Sequence, residues 1–448
     1  MNVVARFSLL ARLGVAAVCL LAAPPAAGQA PAQAPSGGDE DLPHIRITDP
    51  GRDLFRLALP NAQGDADLAR QALDVLNRDL DISGLFRLLD PTSFPAQLQA
   101  EGLSFSAALW SQVGAQGVAK MKSARSSGGV ETEARLYVMG RGEAPVISRA
   151  YRAGDVRDTV HLFANDVIEY FTGQRGVFGS RIAVALSGAG AHEIATVDAD
   201  GARTAVLTKM GSDCLLPAFS PGGGEIAFTS FLRNNPDLWL VSSAGGRARR
   251  LSQKPGLNTG AVWTADGRSL LLTLSFDGNS EIYRISASDG TIQAKLTSSA
   301  AIDSSPSLSP DGSQVAFVSN RQGSPQIFVM PSSGGTPKRV TFQGKYNQTP
   351  RWNPRPDKPV IAFTGRDERG VFDIFLLDTR SGKIDRVTQS KGSNMDPAWS
   401  PDGRLLVYAS SRGGLFVANP ETRHEVQIWR GACSSPSWGP TPAPPRSR

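Results

Sequence analysis

The pattern Pro-x-aromatic-Ser-Pro-Asp-Gly recurs through the second half of the chain, and its spacing leaves few folds open. It stands as Pro217-Ala218-Phe219-Ser220-Pro221-Gly222 and as Ala261-Val262-Trp263-Thr264-Ala265-Asp266-Gly267. It returns as Pro306-Ser307-Leu308-Ser309-Pro310-Asp311-Gly312 and as Pro350-Arg351-Trp352-Asn353-Pro354. The last two copies are Pro397-Ala398-Trp399-Ser400-Pro401-Asp402-Gly403 and Pro436-Ser437-Trp438-Gly439-Pro440. The anchors at the third position lie roughly 40–47 residues apart, the period of β-propeller blades. The Pro-Asp-Gly turns suit this reading, because Pro fixes φ, Asp bonds locally and Gly accepts a positive φ.

Each of the first five copies is followed by further strand-like runs, β-branched or aromatic and bounded by Gly, Asp and Ser. With its anchor strand, the first set comprises Glu225 to Ser230, Asp237 to Val241 and a short run ending at Ser252. Four strands per repeat make a propeller blade. Before the first full copy stand Arg181 to Ser187, Glu193 to Asp198 and Thr204 to Thr208, which match strands two, three and four. After the last stands only Ser434 to Pro440, which matches a first strand. The two fragments complement each other, so the C-terminal strand is expected to insert beside Arg181 to Ser187. That closes a six-bladed ring over residues 177–440 and removes the open sheet edges that invite aggregation.

The rest of the chain is organised differently. Arg6 and Arg12 precede the apolar run Leu13 to Ala23, and small residues follow at 26–30. That order is a secretory signal peptide, assigned to residues 1–28, and the apolar run is too short to span a bilayer. Residues 29–43 are rich in Ala and Pro and read as a flexible leader. Between 44 and 172 the texture is mixed. His44 to Thr48 and Phe55 to Leu59 alternate like strands, Asp65 to Leu80 has helical spacing, and Leu109 to Val118 opens a further strand. Glu131 to Met139 and Pro145 to Tyr151 read as strands and Asp158 to Phe171 as a closing amphipathic helix. The fold class is therefore an α/β N-terminal domain followed by an all-β six-bladed propeller. Thr172 to Gly176 reads as the hinge between them, and residues 441–448 as a disordered tail.

Little in the sequence supports catalysis. His44, His161, His192 and His424 are scattered without metal-ligand spacing, and no Gly-x-Ser-x-Gly elbow or phosphate loop occurs. No metal and no cofactor are expected, and Asp198-Ala199-Asp200 reads as a turn rather than a calcium site. The chain is not expected to be an enzyme; a propeller-bearing peptidase and a quinone-dependent dehydrogenase are the alternatives. The net charge of +6 falls to 6 − 2 = +4 without the two arginines of the signal peptide. The basic residues form no nucleic-acid footprint.

One constellation stands out. Five residues before each anchor lie Cys214, Asn258, Asp303, Asn347, Asn394 and Cys433. The first strand of a blade lines the central channel, so these six are expected to form a polar ring at its mouth. The residues either shape the turn entering the strand or offer hydrogen bonds to an inserted peptide. Ring closure also makes Cys214 and Cys433 neighbours, and an oxidising compartment permits a bridge between them if their Cα atoms approach within ~7 Å. The sequence leaves that bridge open.

Taken together, the chain resembles the TolB family of periplasmic propeller proteins of the Tol–Pal system. The resemblance is carried by Phe163-Ala164-Asn165-Asp166 with Thr172-Gly173, by Gly176-Val177-Phe178-Gly179-Ser180-Arg181-Ile182-Ala183, and by the Ser-Pro-Asp-Gly repeats. It implies a monomeric periplasmic adaptor that supports outer-membrane integrity and invagination during cell division. The partners it implies are the lipoprotein Pal, the protein TolA, and other outer-membrane or peptidoglycan-associated proteins. Mapped onto this sequence, a Pal-binding rim comprises Cys214, Leu257, Asn258, Asp303, Ser304, Asn347, Asn394 and Cys433. A TolA-binding segment comprises His44, Ile45, Arg46, Ile47, Thr48 and Asp49.

Overall fold

A computed structural model of the chain describes residues 54–188, 190–389 and 391–443. The signal peptide, the leader, the segment His44 to Asp49 and the last five residues lie outside this range. Among the described residues no helix is long and apolar enough to cross a membrane.

The N-terminal domain is a mixed sheet covered by helices. Its strands are β1 (Phe55–Ala58), β2 (Gln63–Gly64), β3 (Phe86–Leu88), β4 (Gly117–Ser126), β5 (Gly129–Val138) and β6 (Ile147–Ala153), in the order β3-β1-β4-β5-β6 with β2 beside β4. Helix α1 (Ala66–Ser83) starts where the Asp65 carboxylate accepts bonds from the backbone N–H groups of Asp67 and Leu68. It stops at Gly84, whose left-handed φ of 64° suits a residue without Cβ. Leu68, Ala72, Val75, Leu76 and Leu80 form its buried face at helical spacing. Two short helices, α2 (Ala96–Ala100) and α3 (Ala107–Gln112), follow. The strand expected to open at Leu109 begins instead at Gly117. The preceding turn is helical because Trp110 is buried against Phe94 and donates its indole N–H to Glu101.

Helix α4 (Val156–Thr172) ends at Gly173, and the chain crosses to the propeller through residues 174–180. The sequence suggests a hinge here, but the segment is pinned. The Asn165 side chain donates to Phe178 O and accepts from Phe178 N, both at 2.9 Å. Val177 and Phe178 are buried beneath it. Gly176 passes so close to α4 that an added Cβ would meet Asn165 Oδ1 at 2.4 Å.

The propeller has six four-stranded antiparallel sheets. The first five blades are consecutive in sequence. They are β10 (Cys214–Phe219), β11 (Glu225–Ser230), β12 (Asp237–Ser242) and β13 (Arg249–Ser252); β14 (Asn258–Trp263), β15 (Ser269–Leu274), β16 (Glu281–Ser286) and β17 (Ile292–Lys295); β18 (Asp303–Leu308), β19 (Gln314–Ser319), β20 (Gln326–Pro331) and β21 (Lys338–Arg339); β22 (Asn347–Trp352), β23 (Val360–Arg366), β24 (Phe372–Asp378) and β25 (Ile384–Arg386); and β26 (Asn394–Trp399), β27 (Leu406–Ser410), β28 (Gly414–Asn419) and β29 (His424–Trp429). The sixth blade joins the two ends of the domain. Strand β30 (Cys433–Trp438) pairs antiparallel with β7 (Arg181–Ser187), followed by β8 (His192–Asp198) and β9 (Thr204–Val206). Register places Ser434 opposite Ala185 and Trp438 opposite Ile182, and Trp438 Nε1 donates to Ser180 Oγ at 2.8 Å. The seam read from the sequence fragments is therefore present.

The apolar core does not stop at the domain boundary. Leu76, Val160, Phe163 and Phe178 belong to one cluster with Ile182, Val184, Val407 and Trp438. The closing blade and its neighbour share that core with the N-terminal helices, which fixes one side of the propeller to the N-terminal domain.

Candidate binding face at the channel mouth

All six inner strands start level with one another, at Cys214, Asn258, Asp303, Asn347, Asn394 and Cys433. Each then carries a β-bulge, seen as a register shift against the second strand. The third residue of every inner strand is left-handed: Leu216, Gly260, Ser305, Thr349, Asp396 and Ser435, with φ between 50° and 65°. Five of the six are not glycine, at a cost of about 1–2 kcal/mol per residue. Repetition around the ring marks the bulge as part of the architecture. Its effect is to turn the second and third residues together toward the channel, where they are half-buried, while the first points into its own blade.

This corrects the expected polar ring. Asn258, Asp303, Asn347 and Asn394 are buried. Asn258 Oδ1 accepts from Lys254 N and Ser252 Oγ, and its Nδ2 donates to Lys254 O and Gly256 O. Asn347 donates to Gln326 Oε1 and Gln343 O, and Asn394 to Asp373 Oδ1 and Gly392 O. Asp303 pairs with Arg321 at 2.7 Å. The four hold the loops that enter their strands, which is the turn-shaping role, and are not presented to a partner. Leu257 and Ser304, the flanking rim residues, are half-buried.

The disulfide is likewise absent, since both cysteines are free. The Cys214 thiol turns into the first blade toward Ser230 Oγ and Ser212 O. Cys433 packs against the core shared with the N-terminal domain. Burial pushes both thiols up, Cys214 to about 11 and Cys433 to about 12, so neither is a thiolate at neutral pH.

What sequence reasoning missed is apolar. Leu232, Phe276, Ile302 and Phe342 are exposed, Phe342 to 72 %. They sit in the loops after the second strand or before the next inner strand, which lie at the end where the inner strands begin. All four fall in the first three blades and in the loop leading to the fourth, so one half of the mouth is greasy. Lys254 stands over Phe276 at 5.8 Å and Arg339 over Phe342 at 5.2 Å, edging that half with positive charge. The available signal was a Phe inside a polar turn, as in Ser275-Phe276-Asp277-Gly278.

The opposite end of the inner strands surrounds a cavity of 420 Å³ walled by Phe219, Trp263, Trp352, Trp399, Trp438 and Arg351. Trp263 donates to Ala218 O and Trp399 to Arg351 O, each reaching the preceding inner strand. Deeper in, burial raises the Asp396 carboxyl, and Arg351 and Ser435 partly offset this.

Against known proteins, the TolB amino-terminal domain model matches residues 43–144 and the TolB β-propeller domain model matches residues 168–442. The chain is 38% identical over 422 residues to the Tol-Pal system protein TolB of Anaeromyxobacter dehalogenans (strain 2CP-C), covering 91% of this chain and 96% of that protein. The chain belongs to the TolB family. A protein TolB homolog of Chlorobium luteolum is 34% identical over 297 residues, covering 64% of this chain and 66% of that protein. The crystal structure of TolB from Acinetobacter baumannii shares the fold, with a TM-score of 0.77 and 24% identity over 89% of this chain and 99% of that one.

In this TolB-family chain the N-terminal domain meets the propeller through a buried polar cluster. His161 on α4 has Nδ1 at 2.7 Å from Asp79 Oδ2 and Nε2 at 3.8 Å from Asp200 Oδ2. Arg157 pairs with the same Asp200 oxygen, and Arg78 donates to Asp200 O and Gln427 O. Ligand atoms of Asp79, His161 and Asp200 lie within 4.8 Å of one another, the grouping a cation would need, but Arg157 already brings positive charge to Asp200. Burial pushes the Asp79 carboxyl up and His161 opposes the shift. Outside the cluster, Asn419 donates to Ser83 O at 2.9 Å and His424 Nε2 meets Asp81 at 3.1 Å.

Proposed function

We propose that this chain is the periplasmic adaptor of a Tol–Pal system, binding the lipoprotein Pal on the mouth face of its propeller and TolA through residues 44–49. The observation that carries the reading is the exposed apolar half-ring of Leu232, Phe276, Ile302 and Phe342. Exposed aromatic and aliphatic groups clustered on one face are the usual anchors of a protein interface. Beneath them, the buried Asn and Asp residues hold the loops, so the face is presented already formed and little ordering is lost on binding. Family membership supports the choice of partners. Pal then touches the mouth loops and half-buried Leu257 and Ser304 rather than the buried asparagines. A function in outer-membrane integrity and in invagination during division follows from bridging Pal and TolA. The absence of a nucleophile elbow in the sequence favours an adaptor over a hydrolase.

The test is a binding assay with purified Pal and TolA. Replacing Leu232, Phe276, Ile302 and Phe342 together by Ser is expected to weaken Pal binding about a thousandfold or more, at about 1–2 kcal/mol per lost anchor. TolA binding should survive that change and be lost on deletion of residues 44–49. Unchanged Pal affinity in the quadruple variant would refute the mouth as the Pal face.

A further inference from the structure

The outer strands of the blades are edges, and edges commonly carry charge to discourage pairing with other chains. Four of the six outer strands hold at most one Lys or Arg. Strand β9 and strand β29 hold no Lys or Arg, β17 and β25 hold one each, and β21 is the pair Lys338–Arg339. The first blade differs, with Arg247-Ala248-Arg249-Arg250 running into β13 and Arg233 in the loop before β12. Arg250 belongs to the scaffold: it pairs with Asp237 at 3.1 Å, as Arg386 pairs with Asp373 three blades on. Arg249 has its counterpart in Lys338 of the third blade, since Leu240 faces Arg249 as Val329 faces Lys338.

Together these residues line a cavity of 410 Å³ floored by Trp239 and Ala248. Arg249 leans on Ala287 O and Ser288 O of the next blade and has Glu225 at 3.6 Å. Among the described residues neither Arg233 nor Arg247 has a carboxylate within reach. Four guanidinium groups thus face two carboxylates. The indole N–H of Trp239 is buried and has no partner among the described residues, although buried indoles normally donate.

We propose that this cavity is a binding site for a phosphate ester. A phosphate monoester offers three charged acceptor oxygens to guanidinium groups arriving from two separate segments, where a carboxylate offers two. Arginine forks match its geometry in pairs, and the Trp239 floor packs against the organic group the phosphate carries. The site borders the mouth face at Arg233, next to Leu232, and its other lining residues lie on β12 and along β13. Its ligand is either a phospholipid headgroup or a soluble phosphate ester.

The experiment uses the full mature chain with two probes: vesicles of phosphatidic acid in phosphatidylcholine, by sedimentation, and glycerol 3-phosphate, by calorimetry. Substituting Arg233→Ala, Arg247→Ala and Arg249→Ala together should weaken binding about tenfold or more to at least one probe. A control triple, Arg70→Ala, Arg125→Ala and Arg152→Ala, removes the same charge from exposed positions of the N-terminal domain. It should cost about threefold or less, as expected of screened long-range attraction. Selective loss on vesicles identifies a lipid headgroup, and selective loss on glycerol 3-phosphate a soluble ligand; either supports the site. Equal losses in both triples, or no binding of either probe by the unaltered chain, would overturn it. Unchanged melting temperatures in both triples keep a folding defect from mimicking the result.

Discussion

The two ends of the propeller channel are made by the same six inner strands and are finished in opposite ways. At the mouth the framework lies below the surface: buried Asn258, Asp303, Asn347 and Asn394 fix the loops, and the apolar side chains above them are exposed, with Phe276 resting on Tyr283. At the far end the exposed and structural roles merge. Trp263, Trp399 and Trp438 wall the cavity and also tie inner strands or the interdomain segment with their indole N–H groups. The N-terminal domain is fastened on that side, through Arg78, Asn419 and the Asp79–His161–Asp200 cluster. A surface separated from its framework can change its contacts without loss of fold. A surface that is its own framework cannot.

The comparison breaks first if truncation before Ser434 is tolerated. Removing β30 strips the inner strand from the sixth blade and deletes buried Trp438, whose loss alone costs ~3–5 kcal/mol of a typical total of ~5–15. Thermal melting should show no cooperative transition near that of the intact chain. Next comes the domain junction. Arg157→Ala leaves Asp200 buried without its cation, and a quarter of the Arg157 side chain reaches solvent. A destabilisation of about 3 kcal/mol in denaturant titration is expected.

A smaller effect tests the mouth framework. Asn347→Ala removes a donor from the buried carboxamide oxygen of Gln326, though Thr341 still donates to it. It should cost about 1–3 kcal/mol while leaving the apolar anchors in place. Phe342→Ser, by contrast, should stay within about 0.5 kcal/mol of the parent in the same titration. Equal costs for the two would erase the distinction between framework and surface.

The smallest effect is a dependence on pH. The hydrogen bond to Asp81 raises His424, so its protonated form is favoured in the folded chain. The stabilisation is complete below the ordinary histidine value of about 6.5 and fades as pH rises through the raised folded value. Both side chains are about a third or more exposed, so it amounts to a few tenths of a kcal/mol. Stability measured across neutral pH should lose this slope in His424→Gln.

Much of the ring was legible because turn chemistry is local. Pro401-Asp402-Gly403 announces its turn, and the unmatched fragments at Arg181 and Ser434 announce the seam. What failed were the directions of side chains. A strand alternates, but the left-handed residue in each inner strand adds one residue to the count, so Asn258 turns inward and Thr259 with Gly260 face the channel. The same uncertainty of direction hid the Cys214 thiol. The cluster of Asp79, His161 and Asp200 could not be seen, because it is assembled from three distant segments by packing alone. Phe342 and Phe276 were passed over because an exposed aromatic carries no period.

The seam between β30 and β7 also sets an order of events. Strand β7 meets β30 only after more than two hundred further residues have been made, so the sixth blade is the last to be completed. Until then Ala183 and Ala185 keep an unpaired edge, and the Ile182 side of the sheet lacks Trp438. The waiting edge lies beside the core that already holds α1 and α4. A chain cut short anywhere in its last blades would carry that open edge permanently, as a template on which another chain can pair.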